Sequence, residues 1–192
     1  VAVCRDISEV GITDKRIQWK SLDVSNFDMV NTFFEKLDDI SKMKIIYLAA
    51  YHNPDLVEKN PEIAWDINIT SLSYFLNKSS RAKCFFYPSS DSVYGNSIDG
   101  YTFKESDVLN PVNTYGKQKA LAENLVISYG FNVVRYPFLI GPSLLTKKKH
   151  FYDKIVEEIT SGRTVDMFSD SYRSTISFKQ AADFLVNIIE EQ

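Results

Sequence analysis

Tyr115 and Lys119 are the two residues whose types and spacing point most directly to chemistry. They stand four residues apart in a segment with helical character, so their side chains share one face of the helix. A phenol with a pKa of about 10 is a poor acid or base at neutral pH, and a neighbouring ammonium brings that pKa toward the working range. Such a pair can take up or return an alcohol proton as hydride leaves or joins the same carbon.

A second pair has the same spacing in a different context. Tyr74 and Lys78 also stand four residues apart, on a predicted helix that precedes the strand predicted at Lys83–Pro88. No hydroxyl-rich strand end lies upstream of them, and in a chain with 11 tyrosines a chance match of this kind is expected. We therefore interpret Tyr74 as a packing or surface residue.

Hydroxyl groups follow the predicted strand Lys83–Pro88, upstream of Tyr115. Ser90 lies there, next to Asp91 and Ser92. Alone, this stretch is typical of a capped turn. Because the Tyr–Lys pair follows it, the Ser90 hydroxyl becomes a candidate to hydrogen-bond a substrate oxygen and orient it toward the phenol.

Strand and helix patterns alternate along the chain without hairpin turns, which predicts an α/β fold with a parallel sheet covered on both faces. Ligands of such sheets bind at the carboxyl ends of the strands. Strands are predicted at Val1–Cys4, Ile17–Val24, Lys44–Ala50, Lys83–Pro88 and Asn132–Arg135. Helices are predicted at Asp28–Ile40, Asn60 to about Lys78, Pro111–Tyr129, Phe151–Thr160 and Gln180–Glu190. Asn60 is predicted to cap its helix, and Gly130 to end the helix of Tyr115.

In their order along the chain, these pieces resemble the extended short-chain dehydrogenase/reductases, the NAD-dependent epimerase/dehydratase group that acts on nucleotide sugars. Val93-Tyr94-Gly95 behind Ser90 completes one motif of that group. The resemblance implies a doubly wound, Rossmann-like parallel sheet with Ser90, Tyr115 and Lys119 as catalytic residues. Tyr115 is then the acid/base, Lys119 lowers its pKa and holds the cofactor ribose, and Ser90 orients the reacting oxygen.

The resemblance also implies NAD or NADP as the cofactor. Arg5 is suited to the 2′-phosphate of NADP and Asp6 to the ribose 2′-hydroxyl of NAD, while a solvated pair is the alternative, so the choice between the cofactors stays open. Further residues resemble three pieces of the family: a strand end that contacts adenine, a segment that lines the cofactor, and a helix Asn that supports the active site. The predicted cofactor contacts are Arg5, Asp23, Val24, Leu48, Ala49, Ala50, Asn68, Tyr115 and Lys119.

The substrate contacts implied by the resemblance are Ser90, Asp91, Ser92, Phe138 and Arg173. Arg173 resembles the Arg that holds the substrate diphosphate, with a surface Arg as the alternative. Phe138 stands where many members carry a substrate-contacting Asn. Ser90-Asp91-Ser92-Val93 is nearest to the 4-keto-deoxysugar reductases of the dTDP-4-dehydrorhamnose reductase type. Ser92 stands where the dehydratases carry a Glu, which disfavours a dehydratase. A reductase and an epimerase remain nearly equal alternatives.

The family's Gly-x-x-Gly-x-x-Gly turn has no counterpart among the seven glycines of the chain. Such a turn cradles the cofactor pyrophosphate at a helix N-terminus. We therefore expect the chain to lack the family's first strand, Gly-rich loop and helix. We also expect residues 1–192 to be one NAD(P)-binding domain fragment, with the start of the substrate-binding part after about residue 142. By itself this fragment is expected to be inactive.

Composition argues against several other classes of protein. The net charge of -3 disfavours general attraction to nucleic acid, and no apolar run reaches the roughly 18 residues that cross a bilayer. Cys4 and Cys84 lie in apolar runs and are expected to be buried thiols, which suits the cytoplasm. His52 and His150 lack metal-like partners, so no metal site is predicted. The basic run at 147–149 is interpreted as a solvated loop, with a nucleotide-phosphate contact as the alternative.

Two function classes remain open. The first is an enzyme that transfers hydride at a sugar carbon, and the second is a non-catalytic binding or regulatory protein, or an inactive relic, on the same fold. The complete set of Ser90, Tyr115 and Lys119 favours the enzyme, whereas the absent Gly-rich turn favours the alternative. The family resemblance further suggests a homodimer through the helix of Tyr115.

Overall fold

The computed structural model describes residues 1–12, 14–98, 100–143 and 149–192. It confirms an α/β fold with parallel strand pairs. The chain divides into two compact units. The larger contains Val3–Arg5 and Ser21–Tyr136, and the smaller contains Val1–Ala2, Asp6–Lys20 and Pro137–Gln192.

The described strands form three groups, ordered β1-β2, β3-β4-β5 and β6-β7, and the pairs in the second and third groups are parallel. Strands β1 to β7 are Ala2–Cys4, Trp19–Ser21, Lys44–Ile46, Cys84–Ser90, Asn132–Tyr136, Phe138–Ile140 and Thr175–Ser177. Helices α1 to α7 are Phe27–Glu35, Pro54–Lys59, Pro61–Trp65, Ser71–Ser79, Thr114–Ser128, Phe151–Thr160 and Phe178–Glu190. A π-helical turn, Asp66–Thr70, joins α3 to α4.

Strand β4 is the central strand of the larger unit. Phe85 and Phe86 are almost completely buried, as expected for a strand with neighbours on both edges and cover on both faces. The strand extends two residues beyond its predicted end because its pairing with β5 continues to the partners Ser90 and Tyr136. Ser90 is therefore the last residue of the strand, and its backbone is held by the sheet.

Helix α5 begins three residues later than predicted. The Oδ1 atom of Asn113 accepts a hydrogen bond from the N–H of Gly116 at 2.7 Å, which caps the helix at Thr114. The predicted end is confirmed, since Gly130 has a φ of 74° in the left-handed region. At Gly116 a Cβ atom would lie 2.5 Å from the carbonyl oxygen of Ser92. Glycine thus allows the first turn of α5 to pack closely on the segment after β4.

The prediction that a helix begins after Asn60 is confirmed, because α3 begins at Pro61 with Asn60 at the N-cap position, but the Asn60 side chain forms no cap hydrogen bond. A separate helix, α2, ends just before it at Lys59, and the Asn60 amide instead donates to the carbonyl oxygen of Leu56 at 3.2 Å. The cap of α2 comes from Asn53, whose Oδ1 accepts from the N–H of Leu56 at 3.1 Å. The Asn-Pro pair at 53–54 was the available signal, because Pro is favoured in the first turn of a helix.

Aromatic and aliphatic side chains from β4 and the flanking helices form the core of the larger unit. The ring of Tyr47 lies 5.1 Å from that of Phe75 and 5.8 Å from that of Phe85, measured between centroids. Leu72 and Leu76 of α4 and Val126 of α5 are fully buried in the same cluster. Burial of these side chains attaches α4 and α5 to the sheet.

The smaller unit pairs β6 with β7 and contains helices α6 and α7. Ser177 begins α7 with a capping box, in which its hydroxyl accepts from the N–H of Gln180. Among the residues described in either unit, no helix has both the length and the apolar character to span a membrane. Cys4 and Cys84 are free thiols.

A buried ion pair joins α5 to β5. The Nε of Arg135 lies 3.0 Å from both carboxylate oxygens of Glu123, and its Nη2 lies 2.7 Å from Oε2. The remaining guanidinium nitrogen donates to the Tyr94 hydroxyl at 2.8 Å and to the Glu105 carbonyl at 2.9 Å. The Glu123 side chain is only 1% exposed, so its charge depends on this partner.

We predict that Glu123→Gln destabilises the protein by about 3 kcal/mol, because it leaves a partly buried guanidinium without its counter-charge. The matched control is Glu158→Gln, which breaks an Arg163–Glu158 pair whose side chains are 56% and 41% exposed. That loss should stay below about 1 kcal/mol. Urea unfolding measures both, and equal losses would contradict the role given to the buried pair.

Candidate active site

Four side chains of the larger unit meet where β4 ends and α5 begins. The Oγ of Ser90 lies 3.1 Å from Oδ1 of Asp91 and 3.1 Å from Oγ of Ser92, and it accepts from the N–H of Ser92 at 3.2 Å. The side chain of Tyr115, which projects from the first turn of α5, lies beside Ser90. The structure thus brings together Ser90, Asp91, Ser92 and Tyr115, as the order of the motifs indicated.

The surroundings of Tyr115 keep its phenol protonated. Burial, assisted by the negative charge of Asp91, raises its pKa to about 12, although the neighbouring Ser90 hydroxyl acts in the opposite direction. At neutral pH the side chain is therefore a neutral phenol with an O–H to donate. The arrangement can deliver a proton to an oxygen atom held by Ser90.

Lys119 lies one helical turn beyond Tyr115, and the whole residue is only 5% exposed. Its ammonium donates to the hydroxyl of Tyr87 at 3.0 Å and to the carbonyl oxygen of Pro88 at 3.0 Å. It lies 4.4 Å from the centroid of the Tyr87 ring and 5.9 Å from that of Tyr115. Burial lowers the pKa of Lys119 to about 8, while the charge of Glu123 raises it.

Sequence reasoning missed Tyr87. The available signal was a hydroxyl-bearing side chain inside the otherwise apolar run Cys84–Tyr87, where a third Phe or an aliphatic residue would serve packing equally well. A buried tyrosine hydroxyl usually has a hydrogen-bonding partner. Which partner it has depends on the packing of α5 against β4.

Asn68 connects the segment after β3 to α5. Its Oδ1 accepts from the N–H of Tyr51 at 2.7 Å, and its Nδ2 donates to the Tyr51 carbonyl at 3.2 Å and to Oε1 of Gln118 at 2.8 Å. The Gln118 amide in turn lies 3.5 Å from the carbonyl oxygen of Pro61. Gln118 is a second residue that sequence reasoning missed, because its role depends on a residue fifty positions away.

The π-helical turn that contains Asn68 directs this side chain toward Tyr51 and Gln118. Such single-turn expansions of a helix are frequent at functional sites. The bonds to Tyr51 fix the chain just after Leu48, Ala49 and Ala50, the residues predicted to line the cofactor. Leu48 is 73% exposed although it is apolar, which leaves apolar surface just beyond the carboxyl end of β3.

The residues predicted at the adenine end lie in the turn after β2. Oδ1 of Asp23 accepts from the N–H and the hydroxyl of Ser25 at 2.9 and 2.6 Å, and these bonds, with a smaller effect from the Arg5 charge, lower the pKa of Asp23. Val24 is half-buried, and Arg5 is exposed at the end of β1. The second carboxylate oxygen of Asp23 can still accept a hydrogen bond from a ligand.

Two predicted substrate contacts, Phe138 and Arg173, belong to the smaller unit. The Arg173 guanidinium lies 5.3 Å from the centroid of the Phe138 ring, within the range of a cation–π contact. Of the basic run, Lys149 pairs with Glu157 at 2.6 Å, and its first two lysines lie outside the described residues. No group of side chains in the described ranges is arranged to hold a metal ion.

The residues present fit the nicotinamide half of a dinucleotide cofactor. Two N–H bonds of the Lys119 ammonium are directed at acceptors of β4, and an ammonium has three, so one remains for a ribose hydroxyl. Exposed apolar surface at Leu48 and the segment up to Tyr51, which is bound by Asn68, would form one side of such a site. The sequence has no glycine spacing that would cradle the pyrophosphate.

The buried Lys119 gives a prediction for stability against pH. The folded chain releases this proton at a pKa of about 8 and the unfolded chain at 10.5, so between these values the unfolded state holds more protons. The free energy of unfolding should therefore rise with pH from about 8 to about 10, above which buried tyrosines reverse the trend. The free energy of unfolding, measured for wild type and Lys119→Met at each pH in this range, tests the prediction. The exposed Lys117→Met is the control, and a rise that persists in Lys119→Met would contradict the assignment.

The chain is 31% identical over 116 residues to a dTDP-4-dehydrorhamnose reductase of Aggregatibacter actinomycetemcomitans, a match that covers 58% of the chain and 37% of the relative. It is also 31% identical over 135 residues to methionine adenosyltransferase 2 subunit beta of Bos taurus, covering 69% of the chain and 40% of the relative. The matches thus span well under half of these relatives.

Among solved structures, the fold matches that of UDP-glucuronic acid 4-epimerase from Bacillus cereus, crystallised with UDP-glucuronic acid and NAD. The TM-score is 0.74 at 20% identity, over 92% of this chain and 57% of that one. This likeness confirms the Rossmann-like fold class. The family model described as the RmlD substrate binding domain matches residues 2–192, and the chain therefore belongs to that family.

Proposed function

We propose that the protein carrying this chain is an NAD(P)-dependent enzyme that acts on a nucleotide sugar and reduces a 4-keto group by hydride transfer. The observation that carries the proposal is the position of Tyr115 beside Ser90 at the end of β4, with the Lys119 ammonium buried one helical turn away. A family relative named as a dTDP-4-dehydrorhamnose reductase supports the substrate class.

The state of Tyr115 supports reduction over oxidation. Reduction of a ketone needs a proton for the oxygen atom, and a phenol with a pKa of about 12 is available as a proton donor across the neutral range. Ser90 holds the same oxygen through its hydroxyl and orients it toward the phenol. When bound, the nicotinamide dinucleotide supplies the hydride.

Lys119 has two roles in this proposal. Its ammonium stabilises the negative charge that develops on the Tyr115 oxygen as the proton departs, and its remaining N–H holds a cofactor ribose hydroxyl. The cofactor segment Leu48–Ala50, fixed through Asn68, forms the other side of the site, with Asp23, Val24 and Arg5 toward the adenine end. A solved relative of this fold that contains NAD supports a nicotinamide cofactor, and NAD and NADP both remain candidates.

On the substrate side, Asp91 and Ser92 contact the sugar beside Ser90. Phe138 and Arg173 belong to the part that binds the nucleotide, where an Arg fork suits the oxygens of a diphosphate better than Lys does. The contact between Arg173 and Phe138 supports a shared role for these two residues. The homodimer through α5 and a cytoplasmic location stay predictions.

A second candidate function is a non-catalytic subunit on the same fold. A relative as similar as the reductase is named methionine adenosyltransferase 2 subunit beta, which is a subunit of another enzyme. In that case the site binds a dinucleotide or nucleotide as a regulatory ligand, without turnover. Ser90, Tyr115 and Lys119 would then contribute to binding alone.

For the enzyme, we predict that Tyr115→Phe lowers kcat by about 10²–10⁴-fold and leaves KM nearly unchanged, because the proton donor acts in the transition state. The matched control is Tyr74→Phe, which also removes a bonded hydroxyl beside an i+4 lysine: Tyr74 donates to Oδ1 of Asn31 at 2.6 Å. That change should leave turnover within about threefold. Equal losses in the two variants would mean that Tyr115 acts through stability and not chemistry.

The reaction itself is tested with the complete protein, NADH or NADPH, and a panel of dTDP-, UDP- and GDP-linked 4-keto-hexoses. We expect stoichiometric cofactor oxidation with one of these sugars, at a rate that declines above a pH of about 8 as Lys119 loses its proton. Interconversion of sugars without net cofactor change would favour an epimerase. Cofactor binding without either reaction would favour the non-catalytic subunit.

A further inference from the structure

We infer that the hydroxyl of Tyr87 is a positioning group that holds the Lys119 ammonium at the carboxyl end of β4. This inference rests on the proposed function and adds a fourth member to the set of Ser90, Tyr115 and Lys119. Tyr87 acts through Lys119, so it is a positioning residue and not a catalytic one.

The geometry places the two groups in direct contact. The Lys119 ammonium lies 3.0 Å from the Tyr87 oxygen and 4.4 Å from the centroid of its ring. Tyr87 is only 2% exposed, so water does not replace this contact from the solvent side. With the Pro88 carbonyl as the second acceptor, the ammonium is fixed by two consecutive residues of the central strand.

The protonation of Tyr87 determines what the contact does. Burial is the main cause that raises the pKa of this phenol, and the neighbouring Tyr115, Tyr47 and Glu123 act in the same direction. Tyr87 therefore stays neutral, and its oxygen accepts a hydrogen bond from the ammonium. An acceptor that bonds the charged form of a group favours that form. Tyr87 thus keeps Lys119 charged against the effect of burial.

The other ionisable groups around Lys119 either do not contact its ammonium directly or are paired with another residue. On its own helix, Tyr115 faces it through its ring, and Glu123 lies one turn further and is bound by Arg135 of β5. Tyr47, which follows β3, lies near Tyr87. Among the described residues, Tyr87 is the ionisable side chain that contacts the ammonium directly, so its removal leaves the Pro88 carbonyl as the direct acceptor.

Tyr47 provides a matched control. It is also buried, at 5% exposure, beside the same sheet, but within the described part of the chain its hydroxyl has no hydrogen-bonding partner. Tyr47→Phe therefore removes a buried phenolic oxygen without removing a contact to Lys119. A difference between Tyr87→Phe and Tyr47→Phe isolates the bond to the ammonium from the loss of a hydroxyl as such.

The direct experiment follows the titration of Lys119 by NMR in protein with carbon-13 at the lysine ε positions, without substrate, the signal being assigned through Lys119→Met. In wild type we expect a pKa of about 8. In Tyr87→Phe it should fall by about one pH unit, the size expected for loss of a hydrogen bond to a charged group. In Tyr47→Phe it should stay at the wild-type value. The same pKa in Tyr87→Phe and wild type would overturn the inference.

A second variant covers the case in which Tyr87→Phe does not fold. Fluorinated tyrosine at position 87 keeps the shape and the hydroxyl but makes the oxygen a weaker acceptor. We expect a smaller fall in the pKa of Lys119 in the same direction. An unchanged or raised pKa in this folded variant would also overturn the inference.

The activity readout separates this inference from the proposed function. In Tyr87→Phe the alkaline limb of the kcat profile for reduction should move to lower pH by the same interval as the NMR titration, with KM for the sugar within about twofold. If wild type reduces no sugar of the panel, the proposed function fails, and the NMR titration still decides the bond to Tyr87. If wild type is active, but Tyr87→Phe shows the same alkaline limb of the kcat profile and the same pKa of Lys119 as wild type, the inference alone fails.

Discussion

A charged ammonium buried at the end of the central strand is the constraint on which the site depends. Lys119 is almost entirely removed from water, and a charge in such a place is costly unless its donors are met. Both acceptors, the Tyr87 hydroxyl and the Pro88 carbonyl, belong to β4. Helix α5 therefore has to lie against that strand in one register, and in this register Tyr115 reaches Ser90.

Two further polar contacts fix the same helix. Glu123 is bound by Arg135 of β5, and Gln118 is bound by Asn68 of the π-helical turn. Three buried polar side chains of α5, Gln118, Lys119 and Glu123, thus lie within six residues and each contact a different element. Apolar packing alone tolerates sliding, whereas these bonds are directional and are lost with small displacements. We interpret them as the reason that the phenol and the serine hydroxyl are held together.

The segment proposed to line the cofactor depends on the same network. Asn68 bonds both backbone groups of Tyr51, which fixes the segment after β3 relative to α5. The exposed Leu48 therefore lies on a segment that cannot move independently of Lys119. Preorganisation of this kind lowers the ordering cost that binding of a ligand incurs.

The sequence by itself determined the alternation of strands and helices, the strand that leads to Ser90, the helix that ends at Gly130, and the pair Tyr115 and Lys119. These features are local, because hydrophobic periodicity, caps and side-chain spacing act over a few residues. The start of α3 at Pro61 was also predicted from local signals, whereas α2 was missed, although an Asn-Pro pair marks the start of each helix. Only the tertiary structure decided that Lys119 binds Tyr87, that Gln118 meets Asn68, and that burial keeps Tyr115 protonated. Those outcomes depend on residues brought together from 31 to 50 positions apart, where contact is set by packing and not by spacing along the chain.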